Sequence, residues 1–300
     1  MKTVGFIGTG IMGEPMAHHL LKAGYTLQVW NRSAHKLDGL ITAGARRCAS
    51  AAEAARGADV VICMLSSGPV CDEALLGADG VIEQMIPGAT LIVMSSIPVE
   101  NARHQAEAAM AKAVRYLDAP VSGGQQGARD GTLVIMVGGL TADYDAARPL
   151  LECMGRSTRV GAAGAGQLAK LTNQLIVAGT IGLIAEAFTL AECGGADPRA
   201  LREALLGGFA DSTILRQHGQ RMIEGDFSPG GPAKYQLKDT TTALALATTL
   251  GLELPLLRQT DTLFKAMVDH GDGELDHSGL IREIRRHNHL ASKGEEPCAF

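Results

Sequence analysis

Large rings are scarce in this chain of 300 residues, which has one Trp, four Tyr and six Phe. That shortage is consistent with a core of small aliphatic residues packing helix on sheet, and it is silent about function. Paired cysteines are missing too. Cys48, Cys63, Cys71, Cys153, Cys193 and Cys298 form no Cys-x-x-Cys motif, which excludes a zinc ribbon and a dithiol redox motif. They read as reduced thiols, as expected of a cytoplasmic protein. Basic charge is not in excess. Lys and Arg number 27 against 32 Asp and Glu, a net charge of −5, so no nucleic-acid partner is expected. The nine histidines show no His-x-x-x-His spacing with an acid partner. The run Asp269-His270-Gly271-Asp272-Gly273-Glu274 breaks the calcium-loop pattern at its glycine, so no metal is expected. Residues 1–8 enter a strand at once and lack the apolar core of a signal peptide. The apolar run Leu175 to Leu190 is short, carries Glu186 and contains glycine. It reads as a buried core helix, with no membrane partner expected.

Glycine is what the chain has in excess: 37 residues of the 300, against a usual share of about 7%. They serve either tight turns or backbone that a ligand must approach closely.

The first half alternates short β-rich runs with alanine-rich amphipathic stretches. The strands expected are Val4–Ile7, Thr26–Trp30, Val60–Met64, Thr90–Met94, Tyr116–Asp118 and Leu133–Val137, with helices such as Met12–Lys22, Ala51–Arg56 and Ile97–Ala113 between them. That alternation predicts βαβ units and a parallel sheet. From about Gly166 the pattern is helical: Leu168–Cys193, Asp197–Leu206, Ser212–Glu224, Leu237–Leu250, Leu256–Asp269 and Ser278–Arg286. Asp197 followed by Pro198 is a good helix start. The fold class expected is an α/β Rossmann domain over residues 1–162, then an all-α domain over residues 163–288. Residues 289–300 read as a loose polar tail.

Four segments carry chemistry. The first, Gly8-Thr9-Gly10-Ile11-Met12-Gly13, follows a strand and opens a helix. There Gly8 permits a tight turn, Gly10 lets backbone approach a pyrophosphate, and Gly13 lets helix pack on strand. The anion then sits at a helix N-terminus. At the end of the next strand stands Asn31-Arg32-Ser33, where an NAD site usually places an acid on the ribose hydroxyls. A carboxylate repels a 2′-phosphate and a guanidinium binds it, so NADP(H) is favoured, with NAD(H) still possible. In the third segment, Asp118 to Gly124, a strand runs into Pro120-Val121-Ser122-Gly123-Gly124. This is either a plain turn or an anion-binding nest for a carboxylate. Fourth, Lys170, Asn173 and Gln174 share one face at the start of the long apolar helix. A lysine desolvated there is a candidate proton donor, whereas a snorkelling lysine is a helix-end ornament. Lys238-Asp239 is either an ordinary surface pair or a lysine that reaches cofactor or substrate.

In sum these segments strongly resemble the β-hydroxyacid dehydrogenase family. The signatures stand in order: Gly5 to Gly13, Met94-Ser95-Ser96-Ile97, Asp118 to Gly124, Gly164 to Gln174, and Lys238-Asp239. The resemblance covers about residues 1–288. It implies a Rossmann domain followed by a helical domain like the C-terminal domain of 6-phosphogluconate dehydrogenase, in a homodimer or homotetramer. It implies Lys170 as the general acid, with Ser122, Gly123 and Gly124 on a substrate carboxylate, and Asn173 and Gln174 beside the substrate. It further implies cofactor contacts by Gly8, Gly10, Ile11, Met12, Gly13, Asn31, Arg32, Ser33, Leu65, Ser66, Ser96 and Lys238, and a hinge between domains at Gly161, Gly164 and Gly166. Lys170 to Ala178, Gly207 to Thr213 and Asp276-His277-Ser278 resemble the branch that reduces 2-hydroxy-3-oxopropionate to glycerate. Related substrates of the family are 3-hydroxyisobutyrate, threonate, and the succinic semialdehyde and glyoxylate pair. The alternative of another class is a nucleotide-binding module without catalysis, for which loss of the lysine at position 170 would be the mark.

Overall fold

The computed structural model describes residues 2–290. They form two compact units, which divide between Lys170 and Leu171.

The first unit is a sheet with helices on both faces. Its strands are β1 (Thr3–Ile7), β2 (Thr26–Trp30), β3 (Arg46–Arg47), β4 (Val60–Cys63), β5 (Thr90–Val93), β6 (Arg115–Asp118), β7 (Val121–Ser122), β8 (Leu133–Gly139) and β9 (Gly155–Gly161). The helices between them are α1 (Gly13–Lys22), α2 (Asp38–Thr42), α3 (Ala51–Ala55), α4 (Gly68–Leu76), α5 (Val81–Gln84), α6 (Val99–Ala111), α7 (Gly124–Asp130) and α8 (Thr141–Leu151). The strand order is β3-β2-β1-β4-β5-β6-β8-β7, with β9 pairing to β8. All pairs from β3 to β6 are parallel. β6 and β7 both run antiparallel to β8.

Alternation along each strand explains the two faces. On β4, Val60 and Ile62 enter one core with Phe6, Met16 and Leu20. Val61 and Cys63 enter the other with Ile7, Leu75 and Leu91. A parallel strand buried on both faces needs an unbroken apolar run, which Val60-Val61-Ile62-Cys63 supplies.

The elements the sequence reading missed are weak in pattern. β3 and β7 have two residues each. β9 is Gly-Arg-Ser-Thr-Arg-Val-Gly, with little apolar alternation. α7 carries two glycines and α8 has Pro149 inside it.

In the second unit the helices are α9 (Ala165–Cys193), which begins in the first unit, then α10 (Pro198–Leu205), α11 (Thr213–Glu224), α12 (Ala233–Thr249), α13 (Pro255–Met267) and α14 (Leu280–His287). Caps fix their starts: Asp197 accepts from the amides of Arg199 and Ala200, and Ser212 from that of Leu215. Ile181, Ala185 and Phe188 of α9 pack with Met222, Phe264, Met267 and Leu280.

α9 spans 29 residues, far more than its most apolar run, and is long and apolar enough to cross a membrane by length and composition alone. Ile176, Leu183 and Leu190 of this helix are exposed.

The two compact units divide between Lys170 and Leu171, inside α9. Gly164 and Gly166 are closely packed at the start of that helix. A Cβ at Gly166 would lie 2.5 Å from the carbonyl oxygens of Asp118 and Met136. Of the expected tail, residues 291–300 lie outside the described residues.

Candidate functional site

The strand order turns back between β1 and β4, so their following loops leave the sheet in opposite directions. In sheets of this kind that divergence opens a crevice at the carboxyl ends of the strands. The loops after β1, β2, β4 and β5 all lie at this edge, which brings together Gly8 to Gly13, Asn31 to Ser33, Leu65-Ser66 and Ser96. Ser122 ends β7 at the far side of the sheet, and Gly123 and Gly124 follow it. Lys238 lies on α12 in the second unit.

Each glycine of the first loop has its own reason. Gly8 has φ +97°, and a Cβ there would sit 2.2 Å from the Met64 carbonyl oxygen. At Gly13 a Cβ would sit 2.0 Å from the Gly8 carbonyl oxygen, so only glycine lets α1 come this close to β1. A Cβ on Gly10 would meet nothing within 4 Å. That open space beside the start of α1 fits a pyrophosphate approaching the backbone. Ile11 is exposed and Met12 half-buried at the same rim.

The β2 loop is tied to this turn. The Thr9 amide donates to Asn31 Oδ1 (3.2 Å), Asn31 Nδ2 donates to the Ser33 carbonyl (3.0 Å), and Thr9 Oγ1 donates to the Lys36 carbonyl (3.4 Å). Asn31 therefore holds two loops in register, while Arg32 next to it is exposed. A cavity of about 380 Å³ adjoins the loop, lined by Thr9, Gly10, Ile11, Glu14, Pro15, His18, Lys36, Gln125 and Arg129. Lys36 and Arg129 escaped the sequence reading. The one signal for Lys36 was a second basic residue soon after Arg32.

Ser95 does the same tying on the other side. Its Oγ accepts from the Leu65 amide (2.7 Å) and donates to the Cys63 carbonyl (3.4 Å). It is fully buried, whereas Ser96 is half-buried and Ser66 exposed. Ser95 was missed because its neighbour in the motif is the more accessible serine.

Asp118 is the other residue missed, although it ends an apolar strand with a charge. It is fully buried. Its Oδ1 accepts the Gly164 amide (2.7 Å) and its Oδ2 the Gln167 amide (2.8 Å). Burial pushes its carboxyl above the usual range, and those two amides act in the opposite direction. Gln167 completes the clamp: Oε1 accepts from the Ile97 amide (3.1 Å) and Nε2 donates to the Ser95 carbonyl (2.8 Å). The first turns of α9, which carry Lys170, are thus fixed to the ends of β5 and β6.

Gly123 and Gly124 have φ +132° and +61°, a region that side chains disfavour. A Cβ at Gly124 would meet nothing within 4 Å, so its backbone is open to a ligand. On α9, Lys170 is half-buried and stands one turn before Asn173 and Gln174. Asn173 Nδ2 donates to Gln174 Oε1 (2.9 Å). Gln174 Nε2 donates to Asp239 Oδ2 (2.9 Å) and Gln236 Oε1 (3.3 Å), and Gln236 Nε2 returns to the Gln174 carbonyl (3.2 Å). Lys238 Nζ lies 3.2 Å from Asp239 Oδ1. Gln174 therefore positions α12 against α9, and Asp239 holds both Gln174 and Lys238.

Two family models divide the chain. One, the NAD binding domain of 6-phosphogluconate dehydrogenase, matches residues 3–164. The other, described as NAD-binding of NADP-dependent 3-hydroxyisobutyrate dehydrogenase, matches residues 164–284. Over 283 residues the chain is 42% identical to 2-hydroxy-3-oxopropionate reductase of Escherichia coli (strain K12), covering 94% of this chain and 96% of that protein. Among solved structures, Mycobacterium tuberculosis 3-hydroxyisobutyrate dehydrogenase with L-serine superposes with TM-score 0.88 at 33% identity, covering 95% of this chain and 99% of the other. A protein named Psf3, in complex with NADP+ and 2-OPP, superposes with TM-score 0.84 at 25% identity, covering 94% and 99%.

Proposed function

The chain belongs to the β-hydroxyacid dehydrogenase family and is an NAD(P)-dependent oxidoreductase, and from that premise we propose that it reduces 2-hydroxy-3-oxopropionate to glycerate with NADPH. The observation that carries the substrate is the 42% identity, over nearly the whole chain, to a reductase of that acid. The nicotinamide, when bound, supplies the hydride. As the aldehyde carbon accepts it, negative charge develops on the carbonyl oxygen. The Lys170 ammonium neutralises that charge and donates the proton. Ser122 with the backbone of Gly123 and Gly124 holds the carboxylate, and Asn173 orients the reacting oxygen. When the cofactor is bound, Ser96 and Lys238 would hold its nicotinamide end. Oxidation of a β-hydroxyacid is the second reading, favoured by the likeness to 3-hydroxyisobutyrate dehydrogenase. Lysine at position 170 argues against a module without catalysis. Assays with 2-hydroxy-3-oxopropionate, succinic semialdehyde, glyoxylate and methylmalonate semialdehyde test the substrate. Greater efficiency with any of the other three overturns it.

The preference for NADPH rests on Arg32 and the lack of an acid at the end of β2. Trp30, the one tryptophan, ends β2 beside that residue and reports binding by its fluorescence. A charge-assisted contact to the 2′-phosphate is worth about 1.5–3 kcal/mol, so NADPH should bind about 10–100-fold more tightly than NADH, and Arg32→Ala should erase most of the difference. Equal affinities in the wild type would count against the assignment.

The apolar stripe Ile176, Leu183 and Leu190 on α9 is 58%, 67% and 76% exposed. Its seven-residue spacing is that of a helix seam. We infer that a second copy of the chain covers it, in a cytoplasmic homodimer or homotetramer. Leu183→Glu should shift the species seen in sedimentation toward the 31.3 kDa monomer. A wild type that sediments as a monomer would overturn this.

A further inference from the structure

We propose that the second unit holds a divalent-metal site formed by His218, Asp276 and His277, separate from the residues assigned to the reduction. The residues come from two elements. His218 lies on α11, and Asp276 caps the short helical turn that begins at His277. One ligand atom from each of the three lies within 4.8 Å of the others.

The carboxylate is already oriented. Asp276 is buried. Its Oδ2 accepts the amides of Gly230 (3.2 Å) and Gly231 (2.9 Å), and Arg221 Nη1 stands 3.6 Å from the same oxygen. Oδ1 accepts the Ser278 amide (3.0 Å) and its hydroxyl (2.6 Å). Such bonds around a ligating carboxylate fix its direction and its charge. The Ser278 hydroxyl can rotate, which frees one lone pair of Oδ1 at little cost.

His218 supplies the second observation. Its Nδ1 is buried and, among the described residues, has no hydrogen-bond partner. It lies 3.6 Å from Asp276 Oδ1, at ion-pair distance. Asp276 is its ion-pair partner, and a divalent ion between the two would bond both. Ligands about 2.0–2.2 Å from a zinc-sized ion stand about 3–4 Å apart, which this separation matches. The rings of His218 and His277 meet edge-on at 4.5 Å between centroids. The His277 ring packs closely on the Gly231 backbone, where a Cβ would lie 3.3 Å from it. Two imidazoles and a carboxylate suit Zn²⁺, Co²⁺ or Ni²⁺, with water in the open position. No motif announces the set, because its histidines stand far apart in the chain and meet only through the fold.

Untagged, EDTA-dialysed protein titrated with Co²⁺ tests the site. Saturable d–d absorption at one ion per chain is expected, without the near-ultraviolet thiolate bands that cysteine ligation would give, and Zn²⁺ should displace it. His218→Gln and His277→Gln should each weaken binding by about tenfold or more, with NADPH-dependent reduction within about twofold of wild type. The proposal is overturned by no saturable uptake, by thiolate bands, or by uptake unchanged in both variants.

Discussion

Lys170→Met should lower turnover by about 10²–10⁴-fold, the range general acid catalysis supplies. The loss should fall on kcat and on kcat/KM alike, as for an interaction made mainly in the transition state. NADPH affinity, read from Trp30 fluorescence, should stay close to wild type, because the cofactor residues assigned at the ends of β1, β2, β4 and β5 are untouched. Methionine keeps much of the lysine's length and apolar stem, so α9 keeps its packing. A fall of less than about tenfold would assign the proton to another group, or to water. A large rise in KM with turnover unchanged would make Lys170 a binding residue instead.

Asp118→Ala should destabilise the first unit by about 2–5 kcal/mol, measured by urea unfolding. Removing the carboxylate strands two buried amides, those of Gly164 and Gln167, and each unsatisfied group costs about 1–3 kcal/mol. The change also takes a negative charge from the N-terminus of a long helix, where the helix dipole favours it. Turnover should fall as well, since the same clamp fixes the turns that carry Lys170. A cost below about 1 kcal/mol would mean that water or a shifted backbone satisfies both amides. The pH dependence has a definite sign. Burial raises the Asp118 carboxyl above its unfolded value, so the folded chain binds that proton more tightly. The wild-type advantage over Asp118→Asn should therefore decline as pH climbs from about 4 through the folded value, and level off above it.

The parts of the site that depend on local chain chemistry were legible before folding. Gly8, Gly10 and Gly13 sit between a strand and a helix, and each meets the steric condition its position demands. The alternation of apolar runs with alanine-rich helices was enough for the parallel sheet. What escaped depends on distant partners. Asp118 and Gln167 are far apart in sequence and meet through their carboxylate–amide bond. Gly166 reads as a flexible bend until the carbonyls of Asp118 and Met136 are seen pressed against it. Gln174 shares a face with Lys170, but the partners that set its direction, Gln236 and Asp239, lie on α12. β9 was missed because its residues follow no apolar alternation, and it is held by its pairing with β8.

The fate of a labelled hydrogen tests the proposed reaction most directly. NADPH carrying deuterium in its transferable C4 position is incubated with 2-hydroxy-3-oxopropionate and the purified protein, and the product is analysed by mass spectrometry. Glycerate should gain one deuterium, with one NADP+ formed per glycerate, and Lys170→Met should slow the process without changing where the label goes. Unlabelled glycerate, or NADPH left unconsumed with 2-hydroxy-3-oxopropionate but oxidised with another semialdehyde acid, would contradict the assignment.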